Sequence, residues 1–293
     1  MSVVVMIDGR MCLPAEQVVS VFDRGFLYGD SVFETLRTYG GVPFQLDEHL
    51  ARLKESAERV YIPLPVSLAE LGAELLGAVA AGGNAESYMR LMLTRGQGAL
   101  GLDPRLAEQP RRVILVQPLQ VPPEHYYSRG VKAISYRAER SVDATSAAGA
   151  KVGNYLVSVL AMREAGAAGA VEALIVDRGG RLIEGASSNV FLVKRGRLVT
   201  APVEAGILPG ITRAEVLAVA GEQGIAIDLA APDLDAAYAA DELFITSSIR
   251  ELVPIVNLDD RVLSDGQPGP MFRRLLSGFR ERVRRNSYPV VPL

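Results

Sequence analysis

The sequence contains few of the side chains that cross-link a chain or bind a metal. Its 293 residues include one cysteine, Cys12, two histidines, His49 and His125, and no tryptophan. A single cysteine excludes an intrachain disulfide framework. Histidine and cysteine are also too scarce to supply a His/Cys metal site. We therefore expect neither disulfide bonds nor a metal centre.

The chain also lacks an excess of charge of one sign and a long hydrophobic run. It has 31 basic and 34 acidic residues and a net charge of -3, whereas a surface for duplex nucleic acid normally shows a strong basic excess. No apolar run approaches the roughly 18 residues of a membrane-spanning helix, and the first residues carry neither a basic segment nor a long apolar core for export. The composition, 49% hydrophobic, predicts a globular, cytoplasmic protein that acts on small molecules, without nucleic-acid or membrane partners.

Hydrophobic periodicity indicates a mixture of strands and helices. Strand-like segments and a hairpin at Gly40-Gly41 precede two amphipathic helices, which we expect to begin near Asp47 and Leu68. Further along, short strands separated by tight-turn sequences alternate with helices, one of them predicted from about Gly153 to Ala165. This mixed order predicts an α+β fold with a largely antiparallel sheet in its second half.

The middle of the chain marks a domain boundary. Residues 119–130 are rich in proline and polar side chains, a composition typical of an interdomain connection. We predict a small amino-terminal domain at 1–118 and a larger domain at 131–293.

One lysine is unusual. The chain has four lysines among its 31 basic residues, and Lys151 stands in an uncharged stretch. Desolvation lowers the pKa of a lysine and frees its amine to attack carbonyls, which a guanidinium does not do. Lys151 is therefore a candidate for a covalent catalytic residue, although a solvated lysine near a helix start is the simpler alternative. Tyr155, four residues on, is expected on the same helical face.

Other segments supply polar groups that suit a flat, phosphorylated ligand. Glu184 lies between apolar strand segments and precedes small residues, so it is either a carboxylate that keeps a ring nitrogen protonated or a surface residue at a strand end. The turn before Thr212 opens into a predicted helix, whose amino terminus attracts anions; ordinary capping explains Thr212 equally well. Ser247 and Ser248 form a second cluster of donors, and Arg52 adds a positive charge.

Taken as a set, these segments resemble the fold-type IV pyridoxal-phosphate enzymes, which comprise branched-chain aminotransferases, D-amino-acid transaminases and aminodeoxychorismate lyases. The resemblance runs from about Ile7 to Arg284. It rests on six motifs in the family's order: Tyr28-Gly-Asp-Ser-Val-Phe33-Glu-Thr-Leu-Arg37, Glu48-His-Leu-Ala-Arg52-Leu, Lys151-Val-Gly-Asn-Tyr155-Leu, Glu184-Gly-Ala-Ser-Ser-Asn189-Val-Phe, Leu208-Pro-Gly-Ile-Thr-Arg213 and Phe244-Ile-Thr-Ser-Ser-Ile249.

The resemblance implies a two-domain enzyme, with a small α/β domain and a larger domain built on a mostly antiparallel sheet or barrel. It implies pyridoxal 5'-phosphate as cofactor, with Lys151 as the Schiff-base residue that also carries the proton, Glu184 beside the pyridine nitrogen and Tyr155 at the phenolic oxygen. The implied phosphate ligands are Arg52, the amides of Ile211 and Thr212, Ser247 and Ser248.

The resemblance also implies a substrate and an assembly. The strand around Tyr88 and Arg90 looks like that of branched-chain aminotransferases, so we expect an L-branched-chain amino acid as donor and 2-oxoglutarate as acceptor in ping-pong kinetics. The implied substrate pocket contains Tyr28, Phe33, Arg37, Tyr88, Arg90, Ser248 and Ile249. The family implies a homodimer or higher homo-oligomer that shares the loop Leu100 to Asp103 between subunits.

Three alternatives remain open. A D-amino-acid or (R)-amine transaminase is weakened because residues 97–103 lack the arginine and histidine that clamp a carboxylate in known D-amino-acid enzymes. An aminodeoxychorismate lyase is suggested by Thr35, which replaces a glycine common in branched-chain enzymes. The glycine spacing at 96–101 fits a dinucleotide-dependent oxidoreductase, but Pro104 follows where a helix would continue.

Overall fold

The structure, a computed structural model, describes residues 2–13, 16, 18–107, 109–138 and 145–287. It divides into two compact units. The first contains the described residues of 1–120, 145–154 and 283–293, and the second those of 121–144 and 155–282. The sequence predicted a division into two continuous segments, whereas here the segment around Lys151 packs within the first unit because it pairs with a strand there.

An antiparallel sheet of six strands forms the centre of the first unit, in the order β2-β1-β6-β5-β3-β4. Its strands are β1 (Val4–Ile7), β2 (Arg10–Met11), β3 (Ser31–Tyr39), β4 (Val42–Pro43), β5 (Ser87–Thr94) and β6 (Arg111–Pro118). Its helices are α1 (Arg24–Tyr28), α2 (Leu46–Arg59) and α3 (Leu68–Gly82).

Helices α2 and α3 cover one face of this sheet. Ser67 caps α3 and forms a reciprocal capping box with Glu70, which fixes where the helix begins. The core contains Leu36 of β3 packed with Leu53 of α2 and Leu75 of α3, all almost fully buried. The two helices predicted after the hairpin are thus present, near their expected first residues.

The second unit is built on a mixed sheet of nine strands. The order is β12-β11-β10-β13-β14-β7-β8-β9, and β15 pairs with β14. The strands are β7 (Val131–Arg137), β8 (Glu172–Val176), β9 (Leu182–Gly185), β10 (Asn189–Lys194), β11 (Arg197–Thr200), β12 (Ile227–Leu229), β13 (Glu242–Ser247), β14 (Glu251–Leu258) and β15 (Arg261–Val262). Most pairs are antiparallel, as predicted, but β11–β12, β14–β7 and β7–β8 are parallel.

The helices of the second unit are α4 (Glu124–Ser128), α5 (Leu156–Ala167), α6 (Ile211–Glu222), α7 (Leu234–Tyr238) and the greater part of α8 (Pro270–Ser287). Phe272 of α8 packs on Phe244 of β13, whose ring in turn stacks on Phe191 of β10. Among the described residues, no helix combines the length and the apolar character required to cross a membrane.

Candidate functional site

Lys151 lies in an extended segment at the edge of β3. Val152 forms an antiparallel bridge with Val32, and the Phe33 N–H donates to the carbonyl oxygen of Lys151 at 3.0 Å. The Lys151 N–H donates to Ser56 Oγ of α2 at 3.1 Å. A strand and a helix of the same unit therefore fix the backbone of Lys151.

The helical argument that linked Tyr155 to Lys151 is wrong. Helix α5 begins at Leu156, with Tyr155 as its N-cap residue, and the preceding Gly153 donates its N–H to the carbonyl oxygen of Ser31 at 2.7 Å. Pairing with β3, a segment distant in sequence, overrides the local helical pattern. The predicted role of Tyr155 at the cofactor ring stays a prediction.

Four predicted substrate residues share one face of the six-stranded sheet. The register of β3 and β5 places Arg37 opposite Tyr88 and Thr35 opposite Arg90. Residues directly opposite in an antiparallel pair point to the same face, and alternate residues of one strand do so too. Phe33, Arg37, Tyr88 and Arg90 therefore lie on one face, opposite the core that β3 forms with α2 and α3.

The ring of Phe33 brings two positive groups together on this face. The Lys151 Nζ atom lies 4.7 Å from the ring centroid, and the Arg90 Cζ atom lies 3.8 Å from it. An aromatic face attracts cations through its quadrupole. Phe33 therefore contacts both an amine and a guanidinium, two groups that suit a carboxylate-bearing substrate.

On the other face, Arg52 is held by a buried carboxylate. Its Nε and Nη2 atoms donate to Glu34 Oε1 and Oε2 at 2.8 and 2.6 Å, and His49 Nδ1 lies 2.7 Å from Glu34 Oε2. Burial alone would raise the pKa of Glu34, but the attraction of Arg52 and the hydrogen bonds from Arg52 and His49 lower it to about 2. Burial lowers the pKa of His49, so the neutral ring donates its Nδ1 proton to Glu34.

In the second unit, Glu184 fixes the loop that leads into α6. Glu184, at the end of β9 and only 7% exposed, accepts the Leu208 N–H at 3.0 Å. Asn189 Nδ2 donates to the Leu208 carbonyl oxygen at 2.9 Å. A Cβ at Gly210 would lie 1.9 Å from Asn189 Oδ1. The loop therefore requires glycine at 210 and an amide at 189.

Helix α6 begins without a side-chain cap. Gly210 occupies the N-cap position and has no side chain that could accept an N–H of the first turn. The first N–H groups of a helix have no partner within the helix and carry its positive dipole end, so the amides of Ile211 and Thr212 suit an anion. The predicted turn that opens into a helix is present, whereas the capping alternative for Thr212 is wrong.

Near this loop lies a buried hydroxyl, that of Thr246, for which the described residues provide no hydrogen-bond partner. Thr246 is opposite Asn189 in the pairing of β13 with β10, so the two side chains share a face. Thr246 is 2% exposed, and its Oγ1 atom forms no hydrogen bond with a described residue. A buried polar atom in this state is unusual and fits the oxygen-rich group of a ligand.

The remaining predicted residues follow β13 or lie in α1. Ser247 ends β13, and Ser248 and Ile249 lie in the turn after it, all partly exposed. Tyr28 of α1 accepts the Gly101 N–H at 3.2 Å through its hydroxyl. The segment that begins at Gly96 forms a bridge from Gly98 to Ala107 and opens no helix long enough for a dinucleotide site.

Several residues that position the candidate site were not predicted from the sequence. Glu34, His49 and Asn189 occur within the sequence motifs, but no role in the site was predicted for any of them. A charged residue on the predicted core face of a strand is a usable signal for Glu34, because such a residue needs a partner. The sequence carries no comparable signal for Ser56, whose hydroxyl oxygen accepts the backbone N–H of Lys151.

Comparisons with known proteins identify the family. A family model described as amino-transferase class IV matches residues 31–258. A putative branched-chain-amino-acid aminotransferase from Methanocaldococcus jannaschii is 39% identical over 278 residues, which cover 94% of this chain and 95% of the relative. The D-alanine aminotransferase of Bacillus licheniformis is 34% identical over 279 residues, which cover 95% of this chain and 96% of the relative.

A solved structure supports the same family. A branched-chain amino acid aminotransferase from T.th., with pyridoxamine 5'-phosphate bound, has a TM-score of 0.91 and 30% identity, covering 98% of this chain and 95% of that chain. This chain belongs to the class IV aminotransferases. The predicted resemblance, the α+β fold and the enzyme class are therefore confirmed, and the cofactor of the family is of the pyridoxal-phosphate type.

Proposed function

We propose that this aminotransferase binds pyridoxal 5'-phosphate and moves the amino group of an L-branched-chain amino acid to 2-oxoglutarate in a ping-pong reaction. The observation that carries the proposal is the position of Lys151, whose backbone is fixed by β3 and α2 while its amine lies over the ring of Phe33, which Arg90 also contacts. The branched-chain name of the Methanocaldococcus jannaschii relative supports the choice of donor.

The residues of each unit fit the cofactor. In the second unit, the start of α6 and the Thr246 hydroxyl, which has no partner among the described residues, match the phosphate, and the buried Glu184 matches the ring nitrogen. In the first unit, Arg52 supplies a fixed positive charge. When bound, pyridoxal phosphate supplies an electron sink for the carbanion that forms as the amino acid loses its α-proton.

The chain's own residues then have distinct roles. Lys151 Nζ binds the cofactor aldehyde and moves the α-proton. Arg52, the amides of Ile211 and Thr212, Ser247 and Ser248 hold the phosphate, while Tyr155 orients the ring. The pocket residues that bind and orient the amino acid are Tyr28, Phe33, Arg37, Tyr88, Arg90, Ser248 and Ile249.

A second candidate is transamination of D-amino acids. The observation that favours it is the 34% identity to the Bacillus licheniformis D-alanine aminotransferase across 95% of this chain. The absence of arginine and histidine at 97–103 argues against the same carboxylate clamp. Thr35 lies on the same face as Phe33 and Arg90, where its side chain narrows the proposed substrate pocket relative to a glycine. The aminodeoxychorismate lyase alternative is therefore tested as well.

Half-reactions test these candidates directly. The cofactor-loaded protein is mixed separately with L-leucine, D-alanine, an (R)-arylamine and aminodeoxychorismate, and the cofactor absorbance is followed. We expect the fastest change with L-leucine. A fastest change with D-alanine or the arylamine would move the substrate assignment to that class, and release of pyruvate from aminodeoxychorismate alone would identify a lyase.

We also infer a homodimer and retain the cytoplasmic location as a prediction from the sequence. Arg24 Nη1 donates to the Gly101 carbonyl oxygen at 2.7 Å, and the adjacent Leu100 and Leu102 are 68% and 81% exposed. A fixed loop with exposed leucines suits a subunit contact. Light scattering tests the proposed dimer. We expect the wild type to be a dimer and Leu102→Asp to be shifted toward the monomer, whereas a wild type that is active and strictly monomeric would contradict the proposal.

A further inference from the structure

The second unit contains a buried ion pair that the proposed function leaves without a role. Glu172, the first residue of β8, is fully buried. Its Oε2 atom accepts Nη2 of Arg250, in the turn that follows β13, at 2.6 Å. A buried carboxylate is tolerated only when it is paired and hydrogen-bonded. Since Arg250 is the cationic partner of Glu172 among the described residues, the two side chains fix each other.

Hydroxyl groups extend this pair to the turn between β9 and β10. Ser188 Oγ donates to Glu172 Oε2 at 2.9 Å, and Ser187 Oγ lies 3.3 Å from the same atom. Arg250 Nη2 also donates to Ser187 Oγ at 2.9 Å. A Cβ at Gly185 would lie 2.1 Å from Ser188 Oγ and 3.2 Å from the Glu172 carboxyl carbon. The turn that follows Glu184 is therefore packed directly on the ion pair.

The same guanidinium also holds the turn after β13. The backbone N–H and the Nε atom of Arg250 both donate to Ser247 Oγ at 3.3 Å. The next residue, Glu251, has a φ of 58°, a left-handed conformation that is strained for a residue with a Cβ. Strain of this kind persists only where surrounding contacts hold it. The hydrogen bonds of Arg250 to Ser247 hold the residue that immediately precedes Glu251.

We propose that Arg250, anchored on Glu172, is a positioning residue that sets the turn Ser247–Ile249 for recognition of the amino-acid substrate. This inference rests on the proposed function, which places Ser248 and Ile249 in the substrate pocket. Arg250 acts through the backbone of the turn and through Ser247. Losing it changes substrate affinity more than the rate of the chemical step, because Lys151 and Glu184 keep their own supports.

The test combines two readouts on the full-length, cofactor-loaded protein. The variants are Arg250→Ala, Arg250→Lys and the charge-neutral pair Glu172→Gln with Arg250→Gln, which remains measurable if an unpaired Glu172 prevents folding. The matched control is Arg282→Ala, which removes ion pairs with Glu215 and Glu222 in the same unit. Hydrogen exchange is measured on peptides that cover 185–189 and 245–251, and KM and kcat are measured with the preferred amino donor.

For Arg250→Ala and the double variant, we expect faster exchange in both turns and a KM raised about tenfold, with kcat changed less than threefold. Arg250→Lys should recover part of the KM, because an ammonium restores the charge but not the fork of hydrogen bonds. The control should change neither turn. Unchanged exchange overturns the proposed support, and faster exchange with an unchanged KM overturns the substrate role. Failure of the proposed function is seen separately, as a wild-type protein that transaminates no amino donor.

Discussion

At the scale of single residues, the orientation of Arg52 depends on Glu34. The carboxylate receives two hydrogen bonds from the guanidinium and one from His49. Glu34→Gln removes the charge that fixes Arg52, so we expect a stability loss of about 3 kcal/mol for a broken buried pair and weaker binding of pyridoxal phosphate. Chemical unfolding and cofactor titration measure the two effects.

Glu74→Gln is the matched control for this variant. Glu74 forms a two-bond pair with Arg112 in the same unit, at 2.8 and 2.7 Å, but it has no predicted contact with the cofactor. We expect its cofactor affinity to equal that of the wild type. Equal affinities in Glu34→Gln and wild type would show that Glu34 does not orient a phosphate ligand.

A substitution of Thr246 distinguishes a structural role of its hydroxyl from a role in binding the cofactor. Its buried hydroxyl has no partner among the described residues, so Thr246→Val removes an unsatisfied group without a large change of shape. We expect the apoprotein to gain about 1 kcal/mol of stability, while the affinity for pyridoxal phosphate falls severalfold. An apoprotein destabilised by the substitution, with unchanged cofactor affinity, would assign Thr246 to structure alone.

At the scale of elements, the start of α6 depends on Gly210. A Cβ at this position would lie 1.9 Å from Asn189 Oδ1, so Gly210→Ala should displace the loop that contains Leu208. We expect it to lower the free energy of unfolding by about 1 to 3 kcal/mol and to weaken cofactor binding. Thermal unfolding of the apoprotein and cofactor titration check both effects.

The same helix provides the control. A Cβ at Gly221 meets no atom within 4 Å, and alanine favours a helix over glycine by about 1 kcal/mol. Gly221→Ala should therefore stabilise the protein and leave cofactor affinity unchanged. Similar losses of affinity in the two variants would mean that the start of α6 has no special role.

The elements also show what a single sequence predicts well. The turn before α6 was predicted because Pro209 and Gly210 stop one element and start another through local backbone preferences. The helix predicted from about Gly153 to Ala165 is present but begins at Leu156, because residues 152 and 153 pair with β3, and strand pairing between distant segments leaves no local pattern. For the same reason the parallel pairs of β7 with β8 and β14 were not foreseen.

Some residues of the candidate site were also predictable from the sequence, and others were not. Lys151 and Glu184 were predicted because their residue types are unusual in their surroundings, and the motifs carried the family. Glu34, Asn189 and Arg250 were missed because their roles arise from hydrogen bonds to other side chains or to loops, which only a three-dimensional arrangement reveals.

At the scale of the whole molecule, the buried Glu34 and His49 predict how stability depends on pH. The pKa of His49 is lowered in the folded state, so the unfolded chain takes up a proton that the folded protein excludes, and stability falls as the pH drops below 6.5. The pKa of Glu34 is lowered to about 2, so its contribution is complete above about 4.5 and is lost as the pH falls toward 2.

Urea unfolding between pH 7.5 and 5 tests the histidine part of this dependence. His49→Gln should flatten the dependence of the unfolding free energy on pH, whereas His125→Gln, at an exposed position of α4, should retain the wild-type slope. The same slope in His49→Gln and wild type would exclude His49 as the group responsible.

The most direct test of the account concerns Lys151. The protein is loaded with pyridoxal phosphate, reduced with sodium borohydride, digested and mapped by mass spectrometry, with Lys54, Lys132 and Lys194 as internal references. We expect a stoichiometric pyridoxyl label on Lys151, which Lys151→Ala abolishes together with turnover. A label on another lysine, or full turnover in Lys151→Ala, would contradict it.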